Sequence, residues 1–326
     1  MRDRLKDPVK IFEINKGKRP VHIAAPMVRY SKLPFRQLVR DYNTDIVYTP
    51  MILAKEFLHP KGRYFDFSTN DADASLILQF GVDDPVILEK AAQLVGPYVD
   101  GIGINCGCPQ TWAIQEGIGS ALLDEPEKVH KLVRAVKSTL GESFCTEVKI
   151  RIAKDLNKTR HLMQVIEKSG ADIITVHGRT RQDRSSFPVN LDAIREVRPC
   201  VQIPVVANGD VKSLRKGLEI AKYTETQGIM SARGLLENPA LFAGYEETPW
   251  GCVERFLWYS TSYSLNFHLF YHHLTTMMGQ MTTKRERMTI PKDSFASVMD
   301  WLDEHFVVRR PDEPMFGESV LPCRRY

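Results

Sequence analysis

Eight short apolar runs, most of them followed by a helical pattern, restrict this chain more than any other feature. They are HIAAPM (22–27), DIVYTPM (45–51), LILQF (76–80), the stretch opening GIGIN (101–107), EVKIRI (147–152), IITVHG (173–178), VVAN (205–208) and GIMSA (228–232). None alternates cleanly between apolar and polar residues, which is how strands buried on both faces of a parallel sheet read. Between most of them lie KLPFRQLVRDY, DPVILEKAAQLVGPY, PEKVHKLVRAVKSTLG, TRHLMQVIEKSG, LDAIREVR and SLRKGLEIAKYTE, with apolar residues three and four apart. Proline at a first helical turn marks starts at Asp84-Pro85, Glu125-Pro126 and Asn238-Pro239, and Gly141 and Gly170 stand where C-caps belong. Eight strands alternating with helices predict an α/β fold of the (β/α)8 TIM-barrel type. An open doubly wound sheet is the competitor, but AAPMVRYSK after the first run lacks its Gly-rich dinucleotide turn.

The 326 residues, 43% hydrophobic and 26% charged, leave room for a barrel and a small second domain. The expected division is a basic N-terminal extension (1–20), the barrel (21–245), a small C-terminal helical domain (246–306) and a flexible tail (307–326). The opening MRDRLKDPVK has no apolar core and no eighteen apolar residues run together, so the expectation is an intracellular chain with no membrane role, cytoplasmic with the nucleus also open. Six cysteines without regular spacing fit free thiols. The Cys106-Gly107-Cys108 step has no second ligand pair, so no metal is expected.

Charge is uneven. Residues 1–40 hold eleven Lys and Arg against three acidic residues, whereas from 245 onward nine basic residues face eleven acidic ones. A basic face is compatible with a phosphate-rich partner and equally with plain solvation.

A barrel places its chemistry where strands end, at the C-terminal face. The polar or unusual residues ending the runs are Pro26 and Met27, Gln79, Asn105 with Cys108, Lys149 with Arg151, His177 with Arg179, Asn208 with Asp210, and Arg233. Each has a bland reading alone, but their shared position does not. In ANGDV (207–211) and SARGLLENP (231–239), Gly209 and Gly234 let backbone approach a ligand, and Arg233 is placed to pair with an anion. Loops after the seventh and eighth strands of barrels frequently bind phosphate, so a phosphorylated ligand is expected in that corner.

The stretches APMVRYSKLPFR, INCGCPQ with EGIGSALL, KIRI, TVHGRT, ANGD and ARGLLENPALFAGYEETP together resemble the tRNA-dihydrouridine synthases. YTPM, CGCPQ, GYEETP and FHLFYHHLTTMMGQM further resemble the eukaryotic branch acting on D-loop positions 20a and 20b. The resemblance implies an FMN enzyme, recharged by NADPH or NADH, that reduces a uridine of tRNA and works as a monomer. It sets Pro26, Met27 and Gln79 against the flavin ring, Lys149 and His177 near its polar edge, and Asn208, Gly209, Arg233 and Gly234 around its phosphate. It makes Cys108 the acid that protonates C5 of uracil while hydride reaches C6, with Asn105 orienting the base. A thiol of ordinary pKa, about 8.5, is mostly protonated near neutrality and suits that task. Cys106 is expected to point away and pack.

The resemblance also implies that the helical region holds tRNA. Arg179, Arg181 and Arg184 after the sixth strand, and Lys284, Arg285 and Arg287 in TTKRERM, are the expected phosphate contacts. Three residues depart from the family pattern: Gly103 stands where many members carry Asp, and Ile118 and Ala121 stand where they carry Tyr and Cys. Two other readings remain: an FMN barrel acting on a free pyrimidine, and a tRNA-binding protein without catalysis.

Overall fold

The computed structural model describes residues 7 to 325. Its strands are β1 (Val21–Ala24), β2 (Ile46–Leu53), β3 (Leu76–Gly81), β4 (Gly101–Cys106), β5 (Cys145–Arg151), β6 (Ile173–His177), β7 (Val205–Asn208) and β8 (Gly228–Ser231). Each pairs in parallel with the next, and β8 closes on β1, so the predicted barrel is the observed one. Against β3, the register of β2 shifts between Tyr48 and Met51, the interval that holds Pro50, which has no N–H to give to a ladder.

The helices form where local chemistry asks for them. Asp84 accepts from the Val86 N–H at 2.8 Å and Pro85 opens the helix Pro85–Val95, while the helix Pro126–Leu140 stops at Gly141 with φ +100°. Asn238-Pro239 is a correction, since the helix Arg233–Glu237 ends there instead of one beginning. Asn238 Oδ1 accepts from the Ala240 N–H at 3.0 Å and Nδ2 donates to the Tyr245 carbonyl at 2.7 Å. An Asn before a Pro holds a turn by the same side-chain bonds that would cap a helix.

The barrel floor is closed by the helix Pro8–Asn15, whose Phe12 packs with Val21, Ile23, Ile46, Ile173 and Met230. The stretch expected to be a basic extension is therefore partly a structural plug; Arg2, Arg4 and Lys6 lie outside the described residues.

Helices Trp250–Ser262, Phe267–Met277, Lys284–Thr289 and Phe295–His305 form the C-terminal helical region. It is tied to the barrel by His273, which stacks on Phe35 and meets Phe256, with Nε2 donating to the Tyr30 carbonyl at 3.1 Å. The segment after residue 306 corrects the expectation of a flexible tail. Its Cys323 carbonyl accepts from the Val307 N–H at 2.8 Å, and Val320 and Ser319 carbonyls accept from Trp250 and Gly251 at 2.9 and 2.8 Å. The Gly317 and Arg309 N–H groups donate to the buried Glu254 carboxylate at 2.8 and 3.0 Å. Such pairings join residues tens of positions apart and leave no periodic signature. Among the described residues no helix is long and apolar enough to cross a membrane.

Candidate active site

Toward the C-terminal ends of β3 and β4 two side chains and two backbone N–H groups form a chain of bonds. Asn105 Nδ2 donates to Gln79 Oε1 at 2.8 Å, and Asn105 Oδ1 accepts from the backbone N–H groups of Gly107 and Cys108 at 3.1 and 2.9 Å. That carboxamide therefore shapes the loop that presents Cys108. From the far side Gly119, at φ +64°, closes the same loop. A Cβ there would lie 2.8 Å from the Cys108 carbonyl and 2.9 Å from its Cβ, and the Ser120 N–H donates to that carbonyl at 2.9 Å. Cys108 is partly exposed, whereas Cys106 is wholly buried in the core between barrel and helices, where burial pushes its thiol up. Ile118 is buried, so the departure at that position is filled by packing.

Across the mouth, Lys149 Nζ donates to Asn208 Oδ1 at 2.8 Å, and Asn208 Nδ2 donates to the Met230 carbonyl at 3.0 Å. Lys149 is partly exposed toward the mouth, and desolvation of its ammonium lowers its pKa. Arg179 Nη1 lies 3.2 Å from His177 Nε2. A guanidinium only donates, so Nε2 accepts, the ring is neutral and Nδ1 carries the proton. Burial, reinforced by Lys149, Arg151, Arg179 and Arg233, pushes this histidine down to about 2.

Gly209, Gly234, Asn208, His177 and Arg233 line one cavity of about 100 Å³ beyond β7 and β8. Asp210 divides it, pairing with Arg179 at 2.7 Å and with the half-exposed Arg233 at 3.2 Å. A larger groove of about 700 Å³ lies at the opposite end of the barrel, against Phe12 and Arg198, far from every strand C-terminus.

The set fits a phosphorylated flavin. Gln79 Nε2 is a buried donor without a partner at the mouth, which a ring carbonyl or nitrogen would satisfy. Four cations, Lys149, Arg151, Arg179 and Arg233, crowd around a neutral histidine, with Arg233 half free for a phosphate.

The family model described as dihydrouridine synthase (Dus) matches residues 23–317. The chain belongs to the dihydrouridine synthase family. It is 46% identical over 323 residues to the tRNA-dihydrouridine(20a/20b) synthase [NAD(P)+] of Saccharomyces cerevisiae, covering 96% of this chain and 88% of that protein. It is 43% identical to the human tRNA-dihydrouridine(20a/20b) synthase [NAD(P)+]-like protein, over 93% of this chain and 96% of that one. Among solved structures, the old yellow enzyme homologue from Zymomonas mobilis superposes with a TM-score of 0.51 at 10% identity, covering 68% of this chain and 86% of that one. Histamine dehydrogenase from Rhizobium does so with 0.55 at 11%, over 73% of this chain and 49% of that one. At such identities these two share the fold alone.

Within this family member, the structure brings Gln79, Asn105, Cys108, Lys149, His177, Asn208, Gly209, Arg233 and Gly234 to one face, with Pro26 and Met27 just past the end of β1. It does not leave Arg179 free for a tRNA phosphate. That side chain is buried, bonded to Asp210 and the Phe187 carbonyl, and serves the site from inside. Arg181 pairs with Asp124, Arg184 is exposed, and Arg287 donates to the Gly279 and Thr282 carbonyls, leaving Lys284 and Arg285 on the surface. The pairing of Asp210 with Arg179 and Arg233, and the burial of Glu147, escaped the sequence. For Glu147 the available signal was its place two residues before Lys149, on the same face of the strand.

Proposed function

We propose that this chain reduces a uridine of tRNA to dihydrouridine, as a monomer, with FMN seated at the barrel mouth and NAD(P)H as electron source. The target is the 20a and 20b pair of the D-loop, the positions in the names of its similar relatives. One observation carries the reading: a solvent-accessible thiol, Cys108, is fixed by Asn105 and Gly119 beside an unpartnered Gln79 donor and the Lys149 cation.

FMN held by these residues would supply the hydride for C6 of the uracil. Cys108 Sγ gives its proton to C5 as the C5–C6 double bond is reduced, and the thiolate left behind regains a proton from water through the open mouth. Lys149 and Arg151 lie within electrostatic reach of that sulfur. Asn105 holds the loop through Oδ1 and one N–H, and its second N–H orients the base. Lys149 and neutral His177 serve the polar edge of the ring, and Arg233, with Gly209 and Gly234 beside it, serves the phosphate. The Lys284 and Arg285 patch and the exposed Arg184 grip the tRNA backbone while the uridine is turned into the barrel.

Cys108→Ala tests the assignment. The variant is expected to fold, bind flavin and accept electrons from NADPH, while dihydrouridine formation falls by roughly 10²–10⁴-fold, the span of one general acid. Mapping dihydrouridine in tRNA from cells lacking the protein tests the target, with loss at 20a and 20b expected. Turnover on free uracil but not on tRNA would move the reading to a small-molecule reductase.

A further inference from the structure

One charged side chain inside the barrel has no part in that scheme. Glu147 precedes Lys149 by two residues on β5, so both enter the barrel interior, and no part of Glu147 is exposed. A carboxylate so placed is costly unless compensated. Tyr48 from β2 and Thr175 from β6 face it, yet neither carboxylate oxygen closes a hydrogen bond of ordinary geometry. Among the described residues no cation closes an ion pair with it, and Lys149, two residues on along the same face, is the cation whose field acts on it. The room comes from β4, where Gly103 is the register partner of Glu147. A Cβ at 103 would sit 2.9 Å from Glu147 Oε2, 3.3 Å from Ile77 Cγ2 and 3.4 Å from Tyr48 Cε1. The missing side chain of one strand is thus filled by the carboxylate of the next.

We propose that Glu147 is a positioning residue that keeps Lys149 protonated, its carboxylate seated in the space that Gly103 leaves. The proposal rests on the reading of Lys149 as the cation at the flavin's polar edge. Burial pushes the amine down and the carboxyl up, and their mutual attraction opposes both shifts. The other groups around the pair are Arg151 on the same strand, Cys108 above, His177 on β6, and Tyr48, Cys106 and Cys145 near the carboxylate. Arg151 works against the ammonium, and Glu147 is the carboxylate that favours it. A protonated Lys149 stabilises the negative charge that the isoalloxazine takes on reduction, so Glu147 raises the flavin potential through it.

The test compares wild type, Glu147→Gln, Glu147→Ser, Glu147→Ser/Gly103→Asp and Lys149→Met. The flavin midpoint potential is measured from about pH 6 to 9, and the Lys149 ammonium is titrated by ¹⁵N NMR in flavin-free protein. Expected are a Lys149 titration moved down by about one pH unit or more in Glu147→Gln and Glu147→Ser, and a lower potential above neutrality. Return of both toward wild type is expected in the double variant, where the carboxylate stands on β4. Gly103→Asp alone should melt early, because two carboxylates then contest one space. If the Glu147 variants titrate and poise as wild type while Lys149→Met shifts the potential, the inference falls and the reading of Lys149 survives. If Lys149→Met leaves the potential unchanged, both fall. Should Glu147→Gln fail to fold, the double variant decides, a wild-type titration supporting the inference and an unrestored one overturning it.

Discussion

Two places in this molecule assemble the same parts, two guanidiniums around one carboxylate, and put them to opposite uses. Beside the helix Leu33–Asp41, Asp73 accepts from Arg36 at 2.6 Å and Arg40 at 3.1 Å, while Arg36 also donates to the Ser31 and Ser68 carbonyls at 2.7 and 2.6 Å. Asp73 has no exposure at all, and this cluster has no face to offer a ligand. At the mouth, Asp210 accepts from Arg179 at 2.7 Å and Arg233 at 3.2 Å, but the Arg233 side chain is 48% exposed. Composition and pairing do not separate structural from functional ion clusters here. What separates them is whether one cation keeps an open side.

The largest expected effect would break the closed cluster. Asp73→Ala strands Arg36 in the interior and should cost about 3–5 kcal/mol of stability, read by denaturant unfolding, while flavin content per folded molecule stays unchanged. A cost under about 1 kcal/mol would show that the cluster is wetter than its burial says.

The closed cluster and the histidine beside the open one should also part in acid. Burial pushes the Asp73 carboxyl up, but Arg36 and Arg40 outweigh it and hold it below the usual carboxylate range. Its contribution is therefore present above about pH 4 and lost only as pH falls through the lower folded value. His177 at the mouth is depressed to about 2, so the unfolded chain binds its proton first. That contribution is present above about pH 6.5 and erodes below it, by up to about 1.4 kcal/mol per pH unit. His177→Gln should flatten the stability curve between about pH 4 and 6.5 relative to wild type, as followed by thermal melts. An unchanged slope would mean that the ring is solvated in solution.

The smallest effect on stability belongs to Arg233. Arg233→Ala should change it by less than about 1 kcal/mol, as an exposed pair does, yet weaken flavin retention measurably on gel filtration. Full flavin retention would remove Arg233 from the phosphate corner and leave the two clusters equivalent.

Much of this site was legible because barrel chemistry follows a local rule. Gln79, Asn105, Cys108, Lys149, His177 and Asn208 could be found by asking which residue ends each apolar run, and the fold keeps all of them on one face. Cys108 and Cys106 separated for the same reason, one past the strand end and one within the strand. Arg179 was misread because its partner, Asp210, lies 31 residues away on another loop. The C-terminal segment was misread because its bonds run back to Trp250, Gly251 and Glu254 rather than to neighbours in sequence. Asn238-Pro239 misled for a different reason, since its capping chemistry serves a turn as well as a helix.

The sequence by itself determined the barrel, its strand order and the face on which the chemistry stands, because periodicity, burial and capping act between residues a few positions apart. Tertiary structure alone decided which charges are spent and which remain available. Glu147 meets Gly103 only because β4 and β5 pair in one register, and Arg233 stays half open only because Arg179 takes the inner side of Asp210. Those are through-space energies between distant residues, and no local pattern encodes them.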